Sequence, residues 1–256
     1  MDLHLKERVV LVTGGSRGIG KAIAMEFARE GSHLSICGRT AETLQDAAKE
    51  IQSAGADVLA MPADVTRRPE AQAFVKATLE KYGRIDILIN NVGGSRKTPT
   101  IEISDEEWYE LLNLNVLSAA RMSQLVIPHM QKQGGGVIIM ISSIYGRESG
   151  GHITYNAGKA AEISLSKTLA REFAADNIRV LNVAPGSTLF PDGSWDKKQK
   201  ADPKKIAAFV KDMLPFGRFG RPEEIANVVV FLASERASWV SGASINVDGC
   251  QSASNI

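Results

Sequence analysis

A compact apolar run from Val9 to Val12 ends in Thr13-Gly14-Gly15-Ser16-Arg17-Gly18-Ile19-Gly20 and passes into a helical pattern of Ile23, Ala24, Phe27 and Ala28. Strand, glycine turn and helix in that order admit few folds. Glycines let the backbone approach a bound group, and the unpaired N–H groups and dipole at a helix N-terminus favour negative charge, so the turn suits a pyrophosphate. The flanking strand and helix set it apart from a plain connection. Gly14, Ser16, Arg17, Gly18, Ile19 and Gly20 are the dinucleotide-binding candidates it supplies.

The alternation continues down the chain. Strands are expected at His33–Cys37, Val58–Met61, Ile85–Ile89, Val137–Ile141, Ile178–Val183 and Ser244–Val247, each a short run rich in β-branched or apolar residues. Between them, helical spacing marks Ala41 to about Ser53, Pro69–Tyr82 closed by Gly83, Asp105–Gln133 with Ser104 as N-cap, Ile153 to about Ala175, and Pro222–Leu232. Strands alternating with helices predict an α/β protein. Only residues at about 187–219 break the pattern, holding Pro191, Trp195, the run Lys197, Lys198, Lys200, Lys204 and Lys205, and a short helical pattern through Phe209 and Met213. Such a segment reads as a substrate lid, with Trp195, Met213 and Phe216 as apolar walls or as simple aromatic packing. Its lysines form a solvated face or a site for a phosphate-bearing acyl carrier.

With 256 residues, 44% hydrophobic, the chain suits one domain spanning 1–256. A net charge of +1 gives no general drive toward nucleic acid or an anionic membrane, which leaves a small molecule as the expected ligand. Cys37 and Cys250 lie far apart with no CxxC or histidine spacing, and no signal or membrane-spanning segment is visible, so a reducing, cytoplasmic setting is expected. His4, His33, His129 and His152 show no metal-ligand spacing.

Strand ends on one side of a parallel sheet are where ligands collect. At the second, Arg39 follows Gly38; an acidic residue there would suit the ribose of NAD, whereas arginine suits the 2′-phosphate of NADP, and Arg17 supplies a second cation. Asp64 and Val65 follow the third, Asp64 serving adenine contact or a loop cap. After the fourth, Asn90-Asn91-Val92-Gly93-Gly94 can floor the cofactor pocket. Asn115, amid Leu111, Leu112, Leu114 and Val116, is either a solvent-facing side chain or a buried one that demands partners.

The chemistry concentrates between Ser142 and Lys159. Tyr155 and Lys159 stand four apart on one helix and share a face. A free tyrosine titrates near ~10, and bringing it to ~7 requires about 4 kcal/mol. A cation ~4 Å away at an effective dielectric of about 20 supplies roughly that amount. Lys159 is therefore expected to make Tyr155 an acid or base at neutral pH, with Ser143 or Ser142 donating to a carbonyl.

Taken together, Thr13-Gly14-x-x-x-Gly18-Ile19-Gly20, Asn90-Asn91-x-Gly93, Asn115, Ser143, Tyr155-x-x-x-Lys159 and Pro185-Gly186 resemble the short-chain dehydrogenase/reductase family over the whole chain. Arg221-Pro222-Glu223-Glu224 and Ser241-Gly242-x-x-x-x-Val247-Asp248-Gly249 are most similar to its 3-oxoacyl-carrier-protein reductases and related ketoreductases. The resemblance implies a doubly wound, Rossmann-type sheet of about seven parallel strands with helices on both faces, and a homotetramer assembled partly through the Asn115 and Tyr155 helices. It also implies that Tyr155 protonates the substrate oxygen, Lys159 supports it and holds the nicotinamide ribose, Ser143 orients the carbonyl, and Asn115 holds a water of the proton relay. Asn91, Val92, Gly93, Pro185, Gly186 and Thr188 would join Tyr155 and Lys159 around the cofactor. Phe190 stands where the family commonly has threonine, and Gly134 and Asp176 where its carrier-protein reductases present basic side chains.

The expected activity is hydride transfer from NADPH to a ketone or 3-oxoacyl carbonyl. Two alternatives stand beside it: an NAD-dependent alcohol or sugar dehydrogenase working oxidatively, and a catalytically silent cofactor sensor or scaffold.

Overall fold

The computed structural model describes residues 2–255. Its strands are β1 (Val9–Thr13), β2 (His33–Gly38), β3 (Val58–Pro62), β4 (Ile87–Asn90), β5 (Gly136–Ile141), β6 (Ile178–Pro185) and β7 (Ser244–Val247). All pair in parallel in the order β3-β2-β1-β4-β5-β6-β7. The helices are α1 (Gly18–Arg29), α2 (Ala41–Ser53), α3 (Arg68–Tyr82), α4 (Asp105–Leu112), α5 (Ser118–Gln133), α6 (Ile153–Glu172), α7 (Ser194–Ala201), α8 (Pro203–Met213) and α9 (Pro222–Ala233). This is the doubly wound sheet that the resemblance implies.

Side-chain alternation along each strand divides the interior in two. Val10 and Val12 of β1 face the layer that holds Ile23 and Phe27 of α1, Leu44 and Ile51 of α2, and Ile225 and Val229 of α9. Val9 and Leu11 face the other, with Phe74 of α3, Met122 and Val126 of α5, and Ala170 of α6. Strand order reverses between β1 and β4, so their C-terminal ends border the crevice where ligands of such sheets bind. One residue ties the two ends together. The Asn91 side-chain amide donates to the Thr13 carbonyl at 3.1 Å and the Gly14 carbonyl at 3.2 Å, and the Asn91 N–H donates to the Thr13 hydroxyl at 3.0 Å.

Three sequence expectations need correction. Strand four begins at Ile87 rather than Ile85, and Asp86 just before it turns its carboxylate back to the Val9 N–H at 2.9 Å. The helical region expected over Asp105–Gln133 is broken by a π-helical turn, Asn113–Leu117, between α4 and α5. The segment near 187–219 carries two helices, because Asp202 accepts from the Lys205 N–H and Pro203 opens α8 with its fixed φ. Trp195, one of its expected walls, turns inward, stacking on Phe209 at 4.5 Å and lying 5.2 Å from Phe219. With Ile206 and Leu214 these rings form a small separate core, whereas Met213 and Phe216 are exposed.

Arg179 on β6 shows how the sheet holds its last helix. Its guanidinium donates to the carbonyls of Leu232, Ala233, Ser234 and Val240 at 2.8–3.2 Å, satisfying the C-terminal end of α9. Arg179→Met should therefore cost roughly 2–4 kcal/mol, read as a lower urea midpoint with unchanged slope; an unaltered midpoint would show that water replaces these bonds freely.

Candidate active site

The glycine turn leaves the switch point with its backbone packed too tightly for side chains. A Cβ on Gly20 would lie 2.3 Å from the Gly14 carbonyl oxygen and 2.4 Å from the Asn91 amide nitrogen. Ile19 is half-buried beside it. Ser16 faces Gly38 across β2, its hydroxyl 3.2 Å from where a Gly38 Cβ would stand. Arg17 and Arg39 are the next residues along the chain from that contact. Both are exposed, and neither guanidinium has a hydrogen-bond or ion-pair partner among the described residues. Most other arginines here do: Arg8, Arg84 and Arg218 all meet carboxylates.

The residues beyond β3 divide. Asp64 accepts from the Thr66 N–H at 3.0 Å and the Thr66 hydroxyl at 2.7 Å, the geometry of a loop cap. Val65 is buried in the core and its carbonyl accepts from Arg121 at 2.7 Å. Val92 packs partly on the α5-side core, next to Gly14. Past β6, the Gly186 N–H donates to the Val247 carbonyl at 3.1 Å, and the Thr188 hydroxyl turns to the Gly186 carbonyl, also at 3.1 Å. Thr188 also bridges to Gly220, closing the two ends of the 187–219 segment on each other. Phe190 lies over the glycine turn, where its ring would meet any side chain at Gly18.

Asn115 is fully buried, which decides between its two readings. Its amide donates to the carbonyls of Gly94 and Leu111, each at 2.9 Å, and its carbonyl accepts from the Gly94 N–H at 2.9 Å. The π turn presents it to that loop. A Cβ on Gly93 would sit 2.8 Å from the Asn115 carbonyl oxygen and 2.9 Å from the Lys159 ammonium, so Gly93 is the point where the fourth strand end, the π turn and α6 meet.

The two serines at the end of β5 separate by strand parity. Ser142 points into the sheet and donates to the Asn182 side chain. Ser143 leaves the strand, accepts from the Tyr145 N–H at 3.2 Å, and keeps its own proton to donate. Tyr155 is half-buried at the start of α6, and its hydroxyl has no bonded partner among the described residues.

Lys159 is 2% exposed. Its ammonium lies 5.7 Å from the Tyr155 ring centroid, donates to the Ile141 carbonyl at 2.9 Å, and pairs with Glu162 at 2.6 Å. Burial works against the ammonium, but the Glu162 carboxylate and Tyr155 outweigh it and hold Lys159 above the usual lysine range. Burial likewise pushes the Glu162 carboxyl up to about 7 despite the lysine beside it. Beside the Tyr155 that the sequence points to, Lys159 thus has a second partner, Glu162. Its spacing of three from Lys159 was the available signal.

A family model described as short chain dehydrogenase matches residues 8–201. The 3-oxoacyl-[acyl-carrier-protein] reductase of Thermotoga maritima is 37% identical over 248 residues, covering 96% of this chain and 98% of its own length. The chain belongs to the short-chain dehydrogenase/reductase family. Within that family it is also 38% identical to the 3alpha-hydroxysteroid dehydrogenase of Mediterraneibacter gnavus over 254 residues, covering 97% of this chain and 98% of the relative. L-sorbose reductase from Gluconobacter frateurii, solved with NADPH and L-sorbose, superposes with a TM-score of 0.94 at 36% identity over 99% of this chain and all of that one. A 7 alpha-hydroxysteroid dehydrogenase complexed with NADH superposes with a TM-score of 0.90 at 34% identity, over 97% of this chain and 96% of that one. The protein is thus an oxidoreductase of a family that binds nicotinamide cofactors.

Gly20→Ala puts a methyl against the Gly14 carbonyl and the Asn91 amide and should cost roughly 1–3 kcal/mol while weakening nicotinamide dinucleotide binding at least tenfold. Scanning fluorimetry and a nucleotide fluorescence titration check this. Unchanged affinity would mean that the turn does not hold the dinucleotide.

Proposed function

We propose that this enzyme is an NADPH-dependent carbonyl reductase acting on a small ketone or 3-oxoacyl compound. The observation that carries the cofactor choice is that Arg17 and Arg39, both exposed and without a hydrogen-bond or ion-pair partner among the described residues, each follow a member of the contacting pair Ser16 and Gly38. Two cations left unpaired together favour a dianionic phosphate, whereas a bare ribose offers them nothing. When bound, the nicotinamide supplies hydride to the carbonyl carbon.

The chain's own residues do the rest. Gly14, Gly18 and Gly20 admit the pyrophosphate, with Pro185, Gly186 and Thr188 closing the opposite side. Ser143 donates its free proton to the substrate oxygen and fixes its direction. Tyr155 gives that oxygen its proton, and the Lys159 ammonium, held near its ring, favours the phenolate left behind. Asn115 keeps Gly93 and Gly94 in place and so spaces the fourth strand end from Lys159. The 187–219 segment serves as the lid. Gly134 and Asp176, the latter bonded to Gln131, stand where the family's carrier-protein reductases present basic side chains, which favours a free ketone, a β-keto ester or a CoA-linked substrate. We further propose a cytoplasmic homotetramer: Tyr109, Leu117 and Ile153, on the elements around Asn115 and Tyr155, present exposed apolar side chains.

The NADH complex of the hydroxysteroid dehydrogenase favours a second reading, an NAD-dependent alcohol dehydrogenase. Comparing NADH with NADPH in single turnover separates the two, and an NADH preference would remove the role given to Arg39. Tyr155→Phe should bind NADPH as the wild type does and lose turnover by roughly 10²–10⁴. Wild-type turnover in that variant would sink the acid–base assignment. A wild type that binds NADPH yet reduces nothing across a broad ketone panel would instead point to a silent cofactor sensor.

A further inference from the structure

Glu162 is the least expected group in this molecule. It is fully buried on the face of α6 turned to the sheet, with one carboxylate oxygen 2.6 Å from the Lys159 ammonium and the other, Oε1, without a hydrogen-bond partner among the described residues. An acid in that position serves no packing purpose, since an apolar residue would fill the same space without the cost of burying a charge. Its one bonded contact is Lys159.

We propose that Glu162 is a positioning residue of the active site: its carboxylate is the counter-ion that keeps the Lys159 ammonium protonated and aimed at the end of β5, and thereby sets the upper pH limit of the tyrosine–lysine pair. The catalytic part of this proposal rests on the reductase reading above.

The surroundings leave the pair to itself. On α6 the ionisable groups that face it are its own two members and Tyr155. The π turn contributes the neutral amide of Asn115, and β5 the Ile141 carbonyl. On the same face β6 contributes Val180 and Asn182, which do not ionise; from the turn after β5, Tyr145 interacts with Glu148 and Tyr155, and Arg147 is spent on Ser244 and Asn246. On α4, packed against α6, Glu107 and Glu110 are bonded to Thr98 and Arg96. Asp176, in the short turn after α6, is bonded to Gln131.

Magnitudes decide the sign. An ammonium stripped of a counter-ion 2.6 Å away loses far more than a phenol one helical turn off gains from the same removal. Burial alone disfavours the charged lysine. With Glu162 ionised, above about pH 7, Lys159 keeps its proton into the alkaline range. Below that pH Glu162 takes a proton, and Lys159 stays charged because the medium is acidic enough. Without a carboxylate at 162, Lys159 should lose its proton at lower pH, and turnover should fail there first.

The test uses the full-length protein labelled with 13C at lysine Cε and glutamate Cδ, the two signals assigned by their loss in Lys159→Met and Glu162→Gln. In the wild type, an inflection near neutrality is expected in both signals, followed by a Lys159 midpoint above that of exposed lysines. In Glu162→Gln the Lys159 midpoint should fall by about two pH units or more. The alkaline limb of kcat/KM for ketone reduction should move down with it, and Glu162→Asp should restore part of both. An unmoved Lys159 midpoint overturns the proposal, as does a uniform loss of turnover at all pH with the limb in place. If Glu162→Gln does not fold, the wild-type Lys159 signal, assigned through Lys159→Met, decides alone, and the absence of an inflection near neutrality in it sinks the idea. A coupled titration in a protein that reduces no carbonyl would defeat the reductase reading while leaving the ion pair established.

Discussion

A buried ammonium is the constraint around which this site is built. Stripping water from a lysine head costs several kcal/mol unless an acceptor set replaces it. Here the replacement is the Ile141 carbonyl at the end of β5 and the Glu162 carboxylate on the lysine's own helix. Because both acceptors are fixed, the charge is fixed. Helix α6 is thereby keyed to the last residue of β5, one position before the two serines, and Tyr155 is carried to the mouth of the cleft by the same helix. Gly93 closes the arrangement from the other side, since nothing larger fits between Asn115 and Lys159. The end of β5, helix α6 and the fourth strand end are held against one another around that one cation.

Most of the architecture was legible in local pattern. Short β-branched runs between helical spacings gave all seven strands to within a residue or two, and Ala41–Ser53 and Ser244–Val247 matched the structure at both ends. What escaped were features that side-chain periodicity does not encode. The π turn over Asn113–Leu117 changes the backbone register by one residue per turn while leaving the apolar stripe almost intact. Its cause is visible only in three dimensions, where Asn115 must reach both carbonyl and N–H of Gly94. The break between α7 and α8, by contrast, was written in Asp202-Pro203, an N-cap followed by a residue preorganised for the first turn. It was obscured by a lysine run that reads as one solvated stretch.

The site divides in the same way. The spacing of Tyr155 and Lys159 puts a phenol and an ammonium on one face of α6, and the structure has the ammonium 5.7 Å from the ring centroid. Ser142 and Ser143 looked equivalent until parity sent one hydroxyl into the sheet, to Asn182, and left the other at the strand end. Glu162 was invisible for the opposite reason. A glutamate three residues after a lysine is the ordinary dress of a solvated helix face, and only burial turns it into something unusual. Asp64 illustrates the converse: of its two readings, adenine contact or loop cap, the bonds to Thr66 on its own loop are those of the cap.

The proposed lid follows from the same logic of satisfied ends. Thr188 and Gly220 pair with each other, and the Leu189 N–H donates to the Gly220 carbonyl, so the segment leaves and rejoins the sheet at one place. Between those points Trp195, Phe209 and Phe219 stack among themselves with Ile206 and Leu214, apart from both main cores. A segment closed at its base and packed on its own side chains resists internal bending, because bending would expose the stack. The surfaces free to meet substrate are then those turned away from the stack, such as Met213 and Phe216, while Lys198, drawn to 3.9 Å over the Trp195 ring, covers the stack from outside. Substrate choice is for that reason expected to track the outer face of α8 and its following turn rather than the tryptophan that the composition of the segment brings first to notice.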